Sequence, residues 1–192
     1  MTRRLKILVF AASNSRKSIN RRFALHAAQV LQDELAAPVE IGCLDLIEYE
    51  MPTYSPEREA TGVPQQAHDF YRKVGEADGM IISFAEHNGS YTAAFKNLFD
   101  WTSRIDRKVY QDKPIVMLAT SPGKGGGQNV LKTAVEAAGF FGGDVTGSLS
   151  VGPFNQAFDQ STDRLTSPHD ARALREALVL LHAAILPQTY TS

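Results

Sequence analysis

Three short stretches concentrate the residue types that hold anions and flat rings. The first, Ser13-Asn14-Ser15-Arg16-Lys17-Ser18-Ile19-Asn20, is a hydroxyl-rich turn running straight into a helical pattern. A dianionic phosphate needs several hydrogen-bond donors in a positive field, and hydroxyls, free backbone N–H groups and a helix N-terminus supply both. One serine would be enough to cap a helix; three serines, an asparagine and the cations Arg16 and Lys17 favour phosphate. The second stretch, Ala85-Glu86-His87-Asn88-Gly89-Ser90, places a glycine where backbone can approach a flat ligand, with loop amides able to meet the polar edge of a heteroaromatic ring. Glu86 and His87 also invite an acid–base reading, although a loop contact or helix cap accounts for such a pair more simply. The third, Thr120-Ser121-Pro122-Gly123-Lys124-Gly125-Gly126-Gly127, brings backbone amides close to a ligand through its glycines.

Other chemistries find no support. The third stretch lacks the GxxxxGK[ST] order of a nucleotide P-loop, and no GxSxG nucleophile elbow occurs. His26, His68, His169 and His182 are scattered without metal-ligand spacing, and His26 and His182 fall in helical patterns as surface or boundary residues. Trp101 follows an apolar helical face and reads as packing or a subunit contact. The single cysteine, Cys43, lies in a strand candidate and reads as a small buried apolar residue in a reducing cytoplasm.

The elements that must position these stretches alternate regularly. Lys6–Ala11, Val39–Leu44, Gly79–Phe84, Pro114–Thr120 and Asp144–Leu149 are short apolar runs, as expected of parallel strands covered on both faces. Phe23, Ala27, Leu31 and Leu35 recur at helical spacing between a Ser18 cap and the stop at Pro38. Phe95, Leu98, Phe99, Thr102 and Ile105 mark a second helix, and Leu131, Ala134 and Ala138 a third, ending near Gly139. Ser167-Pro168 opens a last helix with Leu174, Leu178, Leu181 and Ile185 on one stripe, and a shorter helix covers Pro64 to Glu76. Five strands alternating with five helices predict a three-layer α/β sandwich, in which ligands bind beyond the carboxyl ends of the strands. The three stretches follow the first, third and fourth strands directly. Two irregular segments remain, Leu46 to Gly62 and Val151 to Thr166, and the first is expected to border a site.

At 192 residues the chain suits one domain over positions 1–192, being short for two of about 100–150 residues each. Its 43% hydrophobic and 21% charged residues are those of a globular protein, not a disordered or fibrous one. A net charge of −1 gives no basic field for nucleic acid, which leaves small molecules as ligands. The basic start and apolar run of Met1 to Phe10 is too short for a membrane span of about 20 residues and reads as the approach to a buried first strand.

Taken together, the junctions resemble those of the NADPH-dependent FMN reductase family, which includes quinone, azo-dye and chromate reductases. The resemblance runs from Lys6 to about Phe141. Glu86-His87-Asn88-Gly89-Ser90-Tyr91 followed by Phe95-Lys96-Asn97-Leu98-Phe99-Asp100-Trp101 is similar to the signature PEYNGSxPGxLKNAIDW, with Ala85 and His87 in place of its proline and tyrosine. Ser13 through Asn20 resembles the GSxRxxSxN phosphate loop, with Ala12 in place of the glycine and Ser15 at the arginine position, so that Arg16 falls one place late.

The resemblance implies a flavodoxin-like three-layer sandwich with a five-stranded parallel sheet in order 2-1-3-4-5 and helices on both faces. It implies FMN held by Ser13, Ser15, Arg16, Ser18, Ile19 and Asn20 at the phosphate, by Glu86, His87, Asn88 and Gly89, and by Ser121, Gly123, Gly125 and Gly126 beside the ring. Met51, Tyr54 and Tyr91 would meet the substrate, and assembly would be a homodimer or homotetramer. The implied activity is NAD(P)H-dependent reduction of FMN, with NADPH or NADH as donor and two electrons passed by ping-pong kinetics to a quinone, azo compound or free flavin. No catalytic side chain, metal, nucleic acid or membrane is required, and the expected place is the cytoplasm. The alternative is an FMN-binding electron carrier or redox sensor fed by a protein.

Overall fold

Residues 4–35, 38–159 and 161–186 are described in the computed structural model. The five apolar runs form strands β1 (Leu5–Ala12), β2 (Val39–Leu44), β3 (Gly79–Phe84), β4 (Lys113–Thr120) and β5 (Gly143–Val151), all parallel, in the order β2-β1-β3-β4-β5. This is the expected order, with boundaries moved by one or two residues. Met1 to Arg3, the opening of the basic start, lies outside the described residues.

Alternate residues of each inner strand feed two separate cores, because successive side chains of a strand point to opposite faces. Leu8, Phe10, Met80, Ile82, Phe84, Ile115 and Met117 pack against helices α3 (Gln65–Glu76), α4 (Ala93–Thr102) and α5 (Gln128–Ala138), the single turn α2 (Pro56–Glu59) preceding α3 in the chain. Ile7, Val9, Ile81, Val116 and Leu118 pack against α1 (Ile19–Gln29) and α7 (Pro168–Ile185) on the other face. Every residue of β3 is buried, which is why that run is wholly apolar apart from Ser83.

The helix caps fall where the sequence places them. Ser18 accepts from the Arg21 amide, and Ser167 caps α7 with Pro168 in its first turn. The first helix departs from the α form earlier than expected, passing at Val30–Glu34 into a π turn; Ala36 and Ala37 are not among the described residues.

Three expectations need correction. Cys43 is exposed: β2 is an edge strand, bonded on one side only, and among the described residues no helix packs substantially over it. The thiol is therefore expected to react with a thiol reagent in the folded protein without denaturant, whereas protection until unfolding would show that the strand end is covered. His26 is buried, its ring edge-on to Phe158 at 5.7 Å, because the segment after β5 folds back over α1. That segment is also structured, forming a single helical turn and a hairpin in place of an irregular loop: the short helix α6 (Phe154–Ala157) and the antiparallel pair Phe158–Asp159 with Arg164–Leu165. The other edge strand, β5, is half exposed and carries a bulge opposite Ile115 and Val116, so its alternating polar residues reflect its place at the rim.

Candidate active site

The loops after β1, β3 and β4 meet at the carboxyl edge of the sheet, beside the point where strand order reverses between β1 and β3. Together they enclose a solvent-open cleft of about 250 Å³ lined by Ser13, Ser15, Lys17, Ser18, Ile19, Asn20, Ala85, Glu86, His87, Thr120, Ser121 and Pro122.

On the first loop, each serine is oriented by its own backbone. Ser13 Oγ accepts from the Ser15 amide at 3.2 Å, Ser15 Oγ from the Lys17 amide at 3.3 Å, and Ser18 Oγ from the Arg21 amide at 3.2 Å. An oxygen fixed as an acceptor in this way still has its O–H proton to donate. The loop therefore offers three hydroxyl donors at the N-terminus of α1, where the helix dipole adds positive potential. Lys17 lines this cleft, whereas Arg16 is exposed and is not part of its lining.

Asn20, 2% exposed, has a different set of partners from those expected. Its Oδ1 accepts from the Thr120 amide at 3.0 Å and from Ser83 Oγ at 2.8 Å, while its Nδ2 donates to the Thr120 carbonyl at 3.0 Å. The side chain thus joins α1 to β3 and β4 and sets the spacing of the loops that make the cleft.

The second loop is a tight turn. His87 and Ser90 exchange backbone hydrogen bonds, and Asn88 and Gly89 between them have φ of 52° and 77°, the pair of positive values that a two-residue primed turn requires. Glu86 turns away to α5, accepting from the Val130 amide at 3.0 Å and from Asn129 Nδ2 at 3.3 Å. It caps that helix and ties the second loop to the third. Its carboxylate is thereby engaged at the start of α5. Thr92 completes the frame by capping α4 and donating to the Ala12 carbonyl at 3.0 Å.

The third loop owes its path to glycine. Gly126 and Gly127 have φ of 60° and 81°, and a Cβ on Gly126 would stand 2.6 Å from Ser150 Oγ. Gly125 has no neighbouring atom within 4 Å of such a Cβ.

Of the expected site residues, Ser13, Ser15, Ser18, Ile19, Asn20, Glu86, His87 and Ser121 share this cleft; Asn88, Gly89, Gly123, Gly125 and Gly126 shape the loops around it. Tyr91 lines a separate hollow of about 460 Å³ between α4 and α5, with Phe95, Phe99 and Phe141. Burial raises its phenol pKa above the ordinary tyrosine value. Met51 and Tyr54 stand on the loop after β2, held by residues that motif spacing alone did not reveal. Asn97 Nδ2 donates to the Met51 and Pro52 carbonyls, each at 3.2 Å, its Oδ1 accepts from the Tyr54 amide at 2.8 Å, and Trp101 Nε1 donates to the Pro52 carbonyl at 2.7 Å. The spacing of Asn97 and Trp101, one turn apart on α4, was the available signal.

The hydroxyl set, the helix terminus and the close backbone packing suit a phosphate bearing a flat ring. Comparisons with known proteins agree. A profile of the NADPH-dependent FMN reductase family matches residues 5–156. The chain is 29% identical over 159 residues to an uncharacterized protein of Mycoplasma pneumoniae, covering 80% of this chain and 91% of that one. It is 34% identical over 125 residues to the NADPH:quinone oxidoreductase of Arabidopsis thaliana, a match that covers 64% of this chain and 62% of that enzyme. Among solved structures, the flavoenzyme NAD(P)H:(acceptor) oxidoreductase FerB of Paracoccus denitrificans superposes with a TM-score of 0.70 at 19% identity, covering 94% of this chain and 97% of that one, a likeness of fold. By the match over residues 5–156 and the loops that carry it, this flavodoxin-like chain belongs to the NADPH-dependent FMN reductase family, an oxidoreductase family that works with FMN and NAD(P)H.

Proposed function

We propose that the chain is one FMN-binding domain over residues 1–192 that oxidises NAD(P)H and delivers two electrons to a small flat acceptor such as a quinone, an azo compound or free flavin. The observation that supports this most directly is the convergence of three strand-end loops on a cleft whose hydroxyls stand at a helix N-terminus. Ser13, Ser15 and Ser18 would hold the FMN phosphate through their O–H groups, with Lys17 adding charge, while Arg16 would act only through its longer-range field. Asn20 and Glu86 would keep the three loops in register. Backbone amides of 86–89 and 121–126 would border the ring.

When bound, FMN supplies the redox chemistry: it takes a hydride from NAD(P)H and returns two electrons to the acceptor. The chain's own part is to fix the ring, leave one face open, and exclude competing contacts; no side chain of the cleft needs to donate or remove a proton for that. One open face shared in turn by donor and acceptor leads to ping-pong kinetics. From the family resemblance we also infer a cytoplasmic homodimer or homotetramer.

The test is a visible-absorption titration with FMN, followed by anaerobic NADPH and then NADH. Perturbation of the flavin bands on binding, and their rapid bleaching by either nucleotide, is the expected result. Flavin that binds without bleaching would instead support a carrier or sensor fed by a protein, and flavin that fails to bind would remove the reading. Initial rates with a quinone should give parallel double-reciprocal lines; intersecting lines would indicate a ternary complex and exclude a single shared face.

A further inference from the structure

The stretch around the end of β5 is tied to two sides of the cleft. On one side it meets the third loop. Thr120 and Ser121 line the cleft, and both are bonded to this stretch: Thr120 Oγ1 donates to the Val151 carbonyl at 2.8 Å, and the Phe154 amide donates to the Ser121 carbonyl at 2.9 Å. Farther along the loop, Ser150 Oγ donates to the Gly126 carbonyl at 3.0 Å. Gly152 makes the approach possible, since a Cβ there would lie 2.6 Å from Gly126 Cα and 2.8 Å from the Gly123 carbonyl oxygen.

On the other side the stretch meets α1. The Phe154 ring stacks on Phe158 at 4.7 Å, Phe158 lies edge-on to Phe23 at 5.3 Å, and the Arg22 guanidinium stands 5.1 Å from the centre of the Phe154 ring. Arg22 Nε also donates to Asp163 Oδ1 at 2.7 Å. Arg22 and Phe23 lie in α1, directly after the turn that carries Ser13, Ser15 and Ser18. Thr120 closes the circuit: its amide and carbonyl are bonded to Asn20 of α1, and its hydroxyl to β5. The Arg22–Asp163 pair is partly exposed and so holds weakly, whereas Thr120 is 1% exposed and its hydroxyl bond is not readily replaced by water.

Building on the FMN-binding reading, we propose that residues 150–158 brace the third loop against the phosphate loop, with Thr120 and Ser150 as positioning residues for FMN. Each hydroxyl donates its proton within the protein, so an effect of either on FMN passes through the position of the loop. The coupling is reciprocal: FMN that fixes the loop also fixes the brace.

The experiment titrates FMN by flavin fluorescence into the full chain carrying Thr120→Val, Thr120→Ser or Ser150→Ala, at a temperature where each apoprotein is folded. Thr120→Val is expected to weaken FMN binding about tenfold and Ser150→Ala about threefold, the range of one hydrogen bond. Thr120→Ser, which restores the hydroxyl, should recover most of the loss. Amide hydrogen exchange at Phe154, whose N–H is bonded to Ser121, should be slowed by FMN in the wild type and accelerated by Thr120→Val. A purely structural role would lower the melting temperature and leave the affinity of the folded protein unchanged. That result in either variant would remove its residue from the brace, and in both would overturn the proposal, as would Phe154 exchange indifferent to FMN. Failure of the underlying reading would show separately, as wild-type protein that does not bind FMN.

Discussion

Replacing Asn20 with alanine is expected to destabilise the fold by about 3 kcal/mol, since it leaves the Thr120 amide, the Thr120 carbonyl and the Ser83 hydroxyl without their buried partner. For a chain of 192 residues that corresponds to a fall in melting temperature of roughly 6–12 °C. The position is 2% exposed, so water does not readily replace the lost bonds. FMN affinity should fall as well, through the spacing of the loops. Ser18→Ala is the contrasting variant. It removes a helix cap and one hydroxyl, costing about 1 kcal/mol of stability, but should weaken FMN binding at least as much. Thermal unfolding without FMN, paired with an FMN titration of each variant, separates the two roles. An Asn20→Ala protein that melts like wild type would show that the three bonds contribute little, and equal melting losses in both variants would remove the distinction between spacer and ligand.

The second large effect is at Gly126. A Cβ there would lie 2.6 Å from Ser150 Oγ, 2.9 Å from the Val151 carbonyl carbon and 3.0 Å from its oxygen, on a residue whose φ of +60° already disfavours any side chain. Left-handed backbone costs an ordinary residue roughly 1–2 kcal/mol, and crowding against main-chain atoms adds about 1–3 kcal/mol. Gly126→Ala is therefore expected to lower the urea midpoint clearly and to displace the 121–127 loop, with FMN retention lost in proportion. Gly125→Ala supplies the control, because its Cβ meets nothing within 4 Å. Its stability should stay within about 0.5 kcal/mol of wild type. If it nevertheless loses FMN affinity, the backbone at Gly125 lies against the ligand; if neither substitution affects FMN, the loop is not part of the site. Gly126 answers to the packing of the loop on the end of β5.

These contrasts also show where residue type was a sufficient guide. The serines at 13, 15 and 18 were picked out by composition and spacing as a group, and the structure brings all three into the lining of one cleft. The same logic included Arg16, which is exposed and outside the lining of the cleft. Which of two adjacent cations faces a cleft depends on the path of a five-residue turn, and Lys17 proved to be the one lining it. For Glu86, the cap reading and the acid–base reading were both open in the sequence; its bonds to Val130 and Asn129 favour the cap. Tyr54 and Tyr91 were grouped as substrate contacts by family position, and the structure places them on different sides of α4, Tyr91 in the hollow shared with α5 and Tyr54 on the loop after β2.

Local pattern determined much of this protein: the five strands, the helix caps at Ser18 and Ser167, the burial of the inner runs, and the three junctions where a ligand can sit. All of these follow from interactions between residues near in sequence, or from the alternation of apolar and polar side chains, which any single chain displays. The partners of Asn20, 63 and 100 residues away, the capture of the 51–54 loop by Asn97 and Trp101 from 43 to 49 residues away, and the exposure of Cys43 on an outer strand were decided by tertiary structure alone. The physical reason is common to all three. A side chain's partners and its access to water are set by which elements become neighbours in the sheet and its covering layers, and that adjacency is a property of the assembled fold.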